Sequence, residues 1–313
     1  MKKIISFLIK LLVSIFLLYF LFRKIEIERV IAIVNQLDKK YLLLSFSIFF
    51  LAYIIGVFRW GMLLNMAEVK YDLKRLVIVS FGSNFFNLIV PSTIGADIVR
   101  SLDLGAHTKN LKTVAATVFL DRLSGYIALA LISSVSLLLG HSYIHNIFVY
   151  LVIGLLAVLS VTILFFLFNP WVAAKLKIFS KNKGKLNEKI DLLYREIHLF
   201  RKHPKLLCAN LGLSILIQLV IPIVYYLLSL ALKIDVSIIG ILVIVPVITF
   251  ISAIPVSIGG LGVREWSSGI FLTQLGISQE IGVTLSLVNF FFLVVFSVAA
   301  GIVYVITFRS RRI

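Results

Sequence analysis

The residues best suited to chemistry are ionisable side chains beside two breaks in otherwise apolar sequence. They are Asp97, Arg100, Asp121, Arg122, Arg264 and Glu265. An arginine beside glycine-rich backbone amides suits an anionic group such as a lipid phosphate. The set contains no nucleophile with a neighbouring base and no metal-binding combination. The pattern therefore predicts an anion-binding site, with no catalytic residue, metal or cofactor expected.

The two breaks share a motif. Residues 91–100 read PSTIGADIVR and residues 255–264 read PVSIGGLGVR, with the proline, isoleucine, first glycine, valine and arginine identical at matching positions. Proline removes a backbone donor and glycine permits tight turns, so both segments predict interrupted helices. The candidate substrate-binding residues contributed by the breaks themselves are Pro91, Gly95, Pro255, Gly259, Gly260 and Gly262.

Spacing suggests how the charges pair. Asp97 and Arg100 lie three residues apart and share one face if the segment is helical. Adjacent helical residues point about 100° apart, so Asp121 cannot simply pair with its neighbour. We expect it to pair with Arg100 or Arg264, because an unpaired charge at the bilayer centre costs about 2.5–3.5 kcal/mol.

A plainer interpretation stays open. Residues 123–140 alone could span the membrane, which would leave Asp121 and Arg122 at the cytoplasmic interface, and Arg100 and Arg264 could be snorkelling anchors. Arg59 and Trp60 are typical of an interfacial anchor.

The elements that position these residues are apolar runs. Apolar residues make up 60% of the chain and charged residues 14%, and a run of about 20 apolar residues spans a bilayer as a helix. Full spans are predicted at Ile4–Phe22, Tyr41–Phe58, Thr113–Leu139, Ile147–Phe168, Lys205–Leu232 and Ile281–Phe308. Shorter runs precede the breaks at Leu76–Val90 and Ser237–Ile254. The predicted fold is an all-α membrane protein with six full transmembrane helices and two Pro/Gly-broken re-entrant hairpins arranged as inverted repeats.

The whole chain, 1–313, is predicted to be a single polytopic membrane domain. Its parts are a first span and connector (1–40), repeat A (41–139), a linking span and basic cytoplasmic loop (140–204), repeat B (205–308) and a basic tail (309–313).

Basic residues set the predicted orientation. The loop 169–204 contains nine Lys or Arg residues, and both ends of the chain are basic, which predicts that all three are cytoplasmic. With six full spans, these three parts can all be cytoplasmic only if each short segment enters the membrane and returns on the side from which it entered. The two repeats then have opposite orientations in the membrane. The loop Arg23–Lys40 contains five bases and would lie outside in this topology. It favours an alternative in which both short segments cross the membrane fully, the repeats are parallel and both ends of the chain lie outside.

The net charge of +17 is concentrated in loops between apolar runs. This distribution indicates membrane orientation and attraction to anionic lipids rather than nucleic-acid binding.

The sequence resembles the lysylphosphatidylglycerol synthase transmembrane-region family, also called flippase-like. The resemblance covers nearly the whole chain, and its residues are Phe58-Arg59-Trp60, Pro91 through Arg100, Asp121-Arg122, and Pro255 through Glu265. It implies an inner- or plasma-membrane protein related to the lipid-translocating half of aminoacyl-phospholipid synthases. The chain ends soon after its last span, at Ile313, so we do not expect lysyl transfer to be its activity.

We therefore expect a translocase for a lipid or lipid-linked precursor, with membrane lipids bearing anionic headgroups as partners. The alternatives are a non-transporting module that serves a separate lipid-modifying enzyme, and a membrane-embedded transferase. The sequence leaves the lipid, the energy source and the oligomeric state undetermined.

Overall fold

The computed structural model describes residues 16, 27–89, 95–143, 147–168, 203–253, 257 and 260–309. Over these residues the chain forms ten α-helices and two short 3-10 helices, without a β-strand. Most of the predicted first span Ile4–Phe22 and of the basic loop 169–204 lies outside the described residues, as do Pro91, Pro255 and Gly259.

The ten described helices are α1 (Ile27–Asn35), α2 (Lys39–Met66), α3 (Leu73–Ile89), α4 (Gly95–His107), α5 (Leu111–Gly140), α6 (Ile147–Phe168), α7 (Pro204–Ala231), α8 (Ile238–Ala253), α9 (Val263–Phe271) and α10 (Gln279–Arg309). Seven of them correspond to predicted apolar runs, and the other three, α1, α4 and α9, are shorter and less apolar. The 3-10 helices are His141–Tyr143 and Leu272–Leu275.

Four of the described helices are long and apolar enough to cross a membrane: α2, α5, α7 and α10. Two shorter apolar stretches, Ile147–Thr162 and Ile238–Ala253, accompany them. The chain is thus an all-helical membrane protein. The count of six full spans stays a prediction.

The first broken segment folds into a helical hairpin. At its open end Arg75 of α3 forms an ion pair with Asp103 of α4. At its tip the backbone N–H of Ala96 donates to the Asn87 side chain over 2.8 Å. Helices α3 and α4 therefore run antiparallel.

The second broken segment reverses in the same way. Gly260 lies against the carbonyl of Ser252 near the end of α8, and Gly240 at its start lies against Leu275. Gly260 has φ of +79°, a conformation that glycine adopts without strain. Helix α9 therefore returns along α8.

Helices α2 and α7 pack against each other in opposite directions. The N–H of Asp38, just before α2, donates to the carbonyl of Ala231 at the end of α7 over 3.1 Å. Near the other ends, the Asn210 side chain donates to the carbonyl of Arg59 over 3.0 Å. The first helices of the two predicted repeats thus form a central antiparallel pair.

Each short helix also contacts the last helix of the other repeat, α3 against α10 and α8 against α5. The first contact is close, because Gly82 lies against Tyr304 and Gly301 against Phe85. This cross-packing holds the first hairpin between α2 and α10.

Candidate functional site

A cavity of about 400 Å³ lies where α2, the first hairpin, α5 and α7 meet. We call it the central cavity. Five charged side chains line it: Arg59, Asp97, Arg100, Asp121 and Arg122. We call these five residues the charge network.

Asp121 is the most buried member of the charge network, with 4% of its side chain exposed. Its Oδ1 accepts from Arg59 Nε over 2.8 Å. Its Oδ2 accepts from Arg100 Nη1 over 3.2 Å. A buried carboxylate is retained only with such partners, because desolvation of an unpaired charge is costly.

Asp97 extends the network. Its Oδ1 accepts from Arg100 Nη2 over 2.6 Å, and its Oδ2 pairs with Arg122 Nε. The five side chains therefore form an alternating row in the order Arg59, Asp121, Arg100, Asp97, Arg122. Three cations and two anions leave the row with one excess positive charge.

Other residues hold the arginines in place. Arg59 Nη1 donates to Ser214 Oγ on α7 over 3.2 Å. The Arg100 guanidinium lies 5.0 Å from the ring centroid of Trp60, an attractive cation–π geometry, and Trp60 donates to Thr117 over 3.1 Å. Arg100 Nε is buried and has no hydrogen-bond partner among the described residues. Contacts from α7 and Trp60 thus orient two of the three arginines of the row.

The arrangement can bind an anion. Guanidinium groups bind phosphate or carboxylate through paired N–H donors, and low-dielectric walls strengthen the attraction of the excess positive charge.

Arg264 and Glu265 form a separate cluster at the start of α9. Glu265 is fully buried and pairs with Arg264 over 3.1 Å. It also accepts from the N–H of Gly262 over 2.7 Å and from Ser286 on α10 over 3.2 Å. The Arg264 guanidinium lies 4.8 Å from the Phe290 ring centroid. This cluster caps α9 and docks it on α10, and it does not line the central cavity.

The predicted site residues thus fall into two groups. Asp97, Arg100, Asp121 and Arg122 meet in the charge network, with Gly95 buried at the start of α4. Gly260, Gly262, Arg264 and Glu265 belong to the second hairpin. Pro91, Pro255 and Gly259 lie outside the described residues.

Of the two partners predicted for Asp121, Arg100 is the one found. The pairing of Asp121 with Arg264 is wrong, because the Arg264 guanidinium bonds to the carboxylate of the next residue, Glu265.

Arg59 is the member of the charge network that the sequence did not predict. The interfacial-anchor interpretation is wrong, because only 11% of the Arg59 side chain is exposed and Trp60 is fully buried. The available signal was an arginine within an apolar run. An intramembrane charge requires a partner.

Together these features define a polytopic helical membrane protein with a cavity beside a helical hairpin, lined by three arginines and two carboxylates. Residues 7–301 match the family model described as the lysylphosphatidylglycerol synthase TM region, and the chain belongs to this family. No curated protein matches the chain in a sequence search. The family is consistent with lipid partners, as the resemblance had implied.

Proposed function

We propose that this protein translocates a lipid, or a lipid-linked precursor, whose headgroup is anionic. The observation that carries the proposal is the alternating charge network in the central cavity, in which three arginines face two carboxylates. Charges inside a membrane protein are costly and mark substrate pathways by default. A buried cavity lined by arginines keeps an anionic headgroup out of the hydrocarbon while it moves.

The proposed architecture is a pair of inverted repeats. Helices α2 and α7 begin the two repeats, are long enough to span, and run antiparallel. The helices that follow recur in length: 17, 13 and 30 residues for α3 to α5 and 16, 9 and 31 for α8 to α10. If α2 and α7 cross in opposite directions, the two hairpins enter from opposite faces, an arrangement found in alternating-access transporters.

The turns that end α2 and α7 support this relation. Glu68 and Lys233 have φ of 56° and 57°. In each turn the next residue, Val69 or Ile234, donates to the carbonyl five residues earlier over 3.0 Å. The same local structure therefore ends both helices.

We further propose that the protein is a multi-pass protein of the plasma or inner membrane with both termini in the cytoplasm. The nine bases of the loop 169–204 and the basic ends of the chain support this orientation.

The test is a transport assay in proteoliposomes. The full chain is reconstituted into phosphatidylcholine vesicles that contain phosphatidylglycerol with a fluorescent acyl chain, and an impermeant reductant reports how much of the lipid reaches the outer leaflet. Wild-type protein should accelerate the movement. Arg100→Gln should slow it about tenfold or more, because a hydrogen bond to a charged group is worth about 1.5–3 kcal/mol.

The matched control is Arg75→Gln. It removes an arginine ion pair from the same hairpin but from outside the central cavity. After normalisation to the amount of folded protein it should retain wild-type transport. Absence of lipid movement with wild-type protein would overturn the proposal in favour of a non-transporting module, and covalently altered lipid would favour a transferase.

A further inference from the structure

A second cavity of about 640 Å³ lies between α4 and α5 on the outside of the bundle. We call it the lateral groove. Its walls are mainly apolar side chains of the two helices, and Ala253 at the end of α8 closes one side. Asp97, Arg122 and Tyr126 line both this groove and the central cavity.

The ion pair between Asp97 and Arg122 therefore forms part of the partition between the two spaces. The pair joins α4 to α5, the helices that also form the walls of the groove. One space is charged and the other is apolar, and they meet at this pair.

The outer rim of the lateral groove is apolar and exposed. Ile98 is 51% exposed, Leu102 55% and Phe119 41%. Large apolar side chains that protrude from a membrane-spanning bundle face the hydrocarbon of the bilayer. The groove is therefore open towards lipid chains.

We propose that the lateral groove holds an acyl chain of the transported lipid while its anionic headgroup occupies the central cavity. This inference rests on the proposed function and narrows the substrate class to acyl lipids with an anionic headgroup. From Leu111 to Tyr126 the α5 wall of the groove is about 22 Å long at 1.5 Å per residue. The groove is thus long enough for an extended hydrocarbon chain, and its volume falls in the range of small-molecule sites.

In this proposal, exchange of the carboxylate on Arg122 for the lipid phosphate opens the partition between the central cavity and the lateral groove. Arg122 is the most exposed arginine of the charge network, at 30% against 15% for Arg100. An arriving phosphate can take the place of the Asp97 carboxylate on the Arg122 guanidinium. Asp97 then keeps its bond to Arg100, so no carboxylate is left buried and unpaired.

The test fills the groove without touching the charge network. Ala115 on α5 lines the groove, and Ala115→Trp places an indole there. The matched control is Ala106→Trp, on an exposed position of α4 that does not line the groove. In the phosphatidylglycerol vesicles described above, Ala115→Trp should slow lipid movement about tenfold or more, whereas Ala106→Trp should stay within about twofold of wild type.

A second arm locates the chain. Phosphatidylglycerol with a photoactivatable group in its acyl chain is reconstituted with the wild-type protein and irradiated. Labelled peptides should come mainly from 98–119. Labelling spread evenly over the lipid-facing helices, with Ala115→Trp as active as wild type, would identify the groove as a gap filled by ordinary surrounding lipid and overturn the inference.

The two arms separate the inference from the proposed function. If Ala115→Trp transports lipid as fast as wild type, the acyl-chain site in the groove is refuted and the translocase function is not. If residues 98–119 are labelled but the wild-type protein moves no lipid, the translocase function is refuted and the groove is a lipid-binding site only. Vesicle-trapped glycerol 3-phosphate supplies the headgroup without a chain, and its release at the rate of lipid movement would overturn the requirement for an acyl chain.

Discussion

Asp121→Asn should be among the most destabilising single substitutions in the charge network. Each oxygen of this nearly buried carboxylate bonds to a different arginine, Arg59 at 2.8 Å and Arg100 at 3.2 Å. The neutral amide leaves the Arg59 guanidinium without a carboxylate partner and leaves Arg100 with Asp97 alone. Removal of one partner of a buried ion pair costs about 3–5 kcal/mol, against about 5–15 kcal/mol for the whole free energy of unfolding of a typical domain.

Double-mutant cycles separate this pairing from general destabilisation. Asp121→Asn combined with Arg100→Gln, or with Arg59→Gln, should show a coupling energy of about 0.5–3 kcal/mol, as contacting residues do. Asp121→Asn combined with Arg264→Gln should be additive within about 0.3–0.5 kcal/mol, because the Arg264 guanidinium bonds to Glu265.

The assay is reversible unfolding in mixed micelles by a denaturing detergent. Tryptophan fluorescence is a suitable signal, since Trp60 lies beneath Arg100. The free energy of unfolding is measured for wild type, each single variant and each pair. Coupling of Asp121 to Arg264 together with additivity towards Arg100 would refute the assignment of the row.

Two further substitutions test the packing of the hairpins. Gly82→Val should destabilise the protein by about 1–3 kcal/mol in the same unfolding titration, because the added Cβ would collide with the side chain of Tyr304. The control is Gly154→Val, which has no atom within 4 Å of the added carbon. Equal losses of stability for both variants would contradict the close approach of α3 to α10. Glu265→Gln should lower the free energy of unfolding by about 3–5 kcal/mol through loss of a buried, paired charge. Ser286→Ala removes one hydrogen bond to the Glu265 carboxylate and should lower the free energy of unfolding by about 1 kcal/mol. A larger loss for Ser286→Ala than for Glu265→Gln would show that the carboxylate does not organise the start of α9.

The long apolar helices were predictable from sequence because hydrophobic length is a strong signal. The run Lys205–Leu232 differs from α7 by one residue at each end, and Ile147–Phe168 coincides with α6. Helix α2 extends eight residues beyond the predicted Phe58, to Met66. Arg59 is paired with Asp121 inside the bundle, and the following Leu63, Leu64 and Met66 are buried.

The candidate site was only half predictable. Asp97 and Arg100 are three residues apart, so local helix geometry was enough to pair them. Arg59 is 62 residues from Asp121 in the sequence and 155 residues from Ser214. Contacts between residues so far apart cannot be predicted from local spacing. The choice between Arg100 and Arg264 likewise depended on how the two hairpins dock.

The proposed inverted repeats would face opposite sides of the membrane, and the ends of α2 and α7 offer the most direct test. Lys70 and Asp235 are exposed and each lies two residues after the positive-φ residue of its turn, Glu68 or Lys233. Lys70→Cys and Asp235→Cys are made separately in a Cys208→Ser background, since Cys208 is itself exposed, and sealed, oriented vesicles are treated with an impermeant maleimide. We expect one variant to be labelled from outside and the other only after the membrane is opened. Labelling of both from the same side would contradict the proposed inversion.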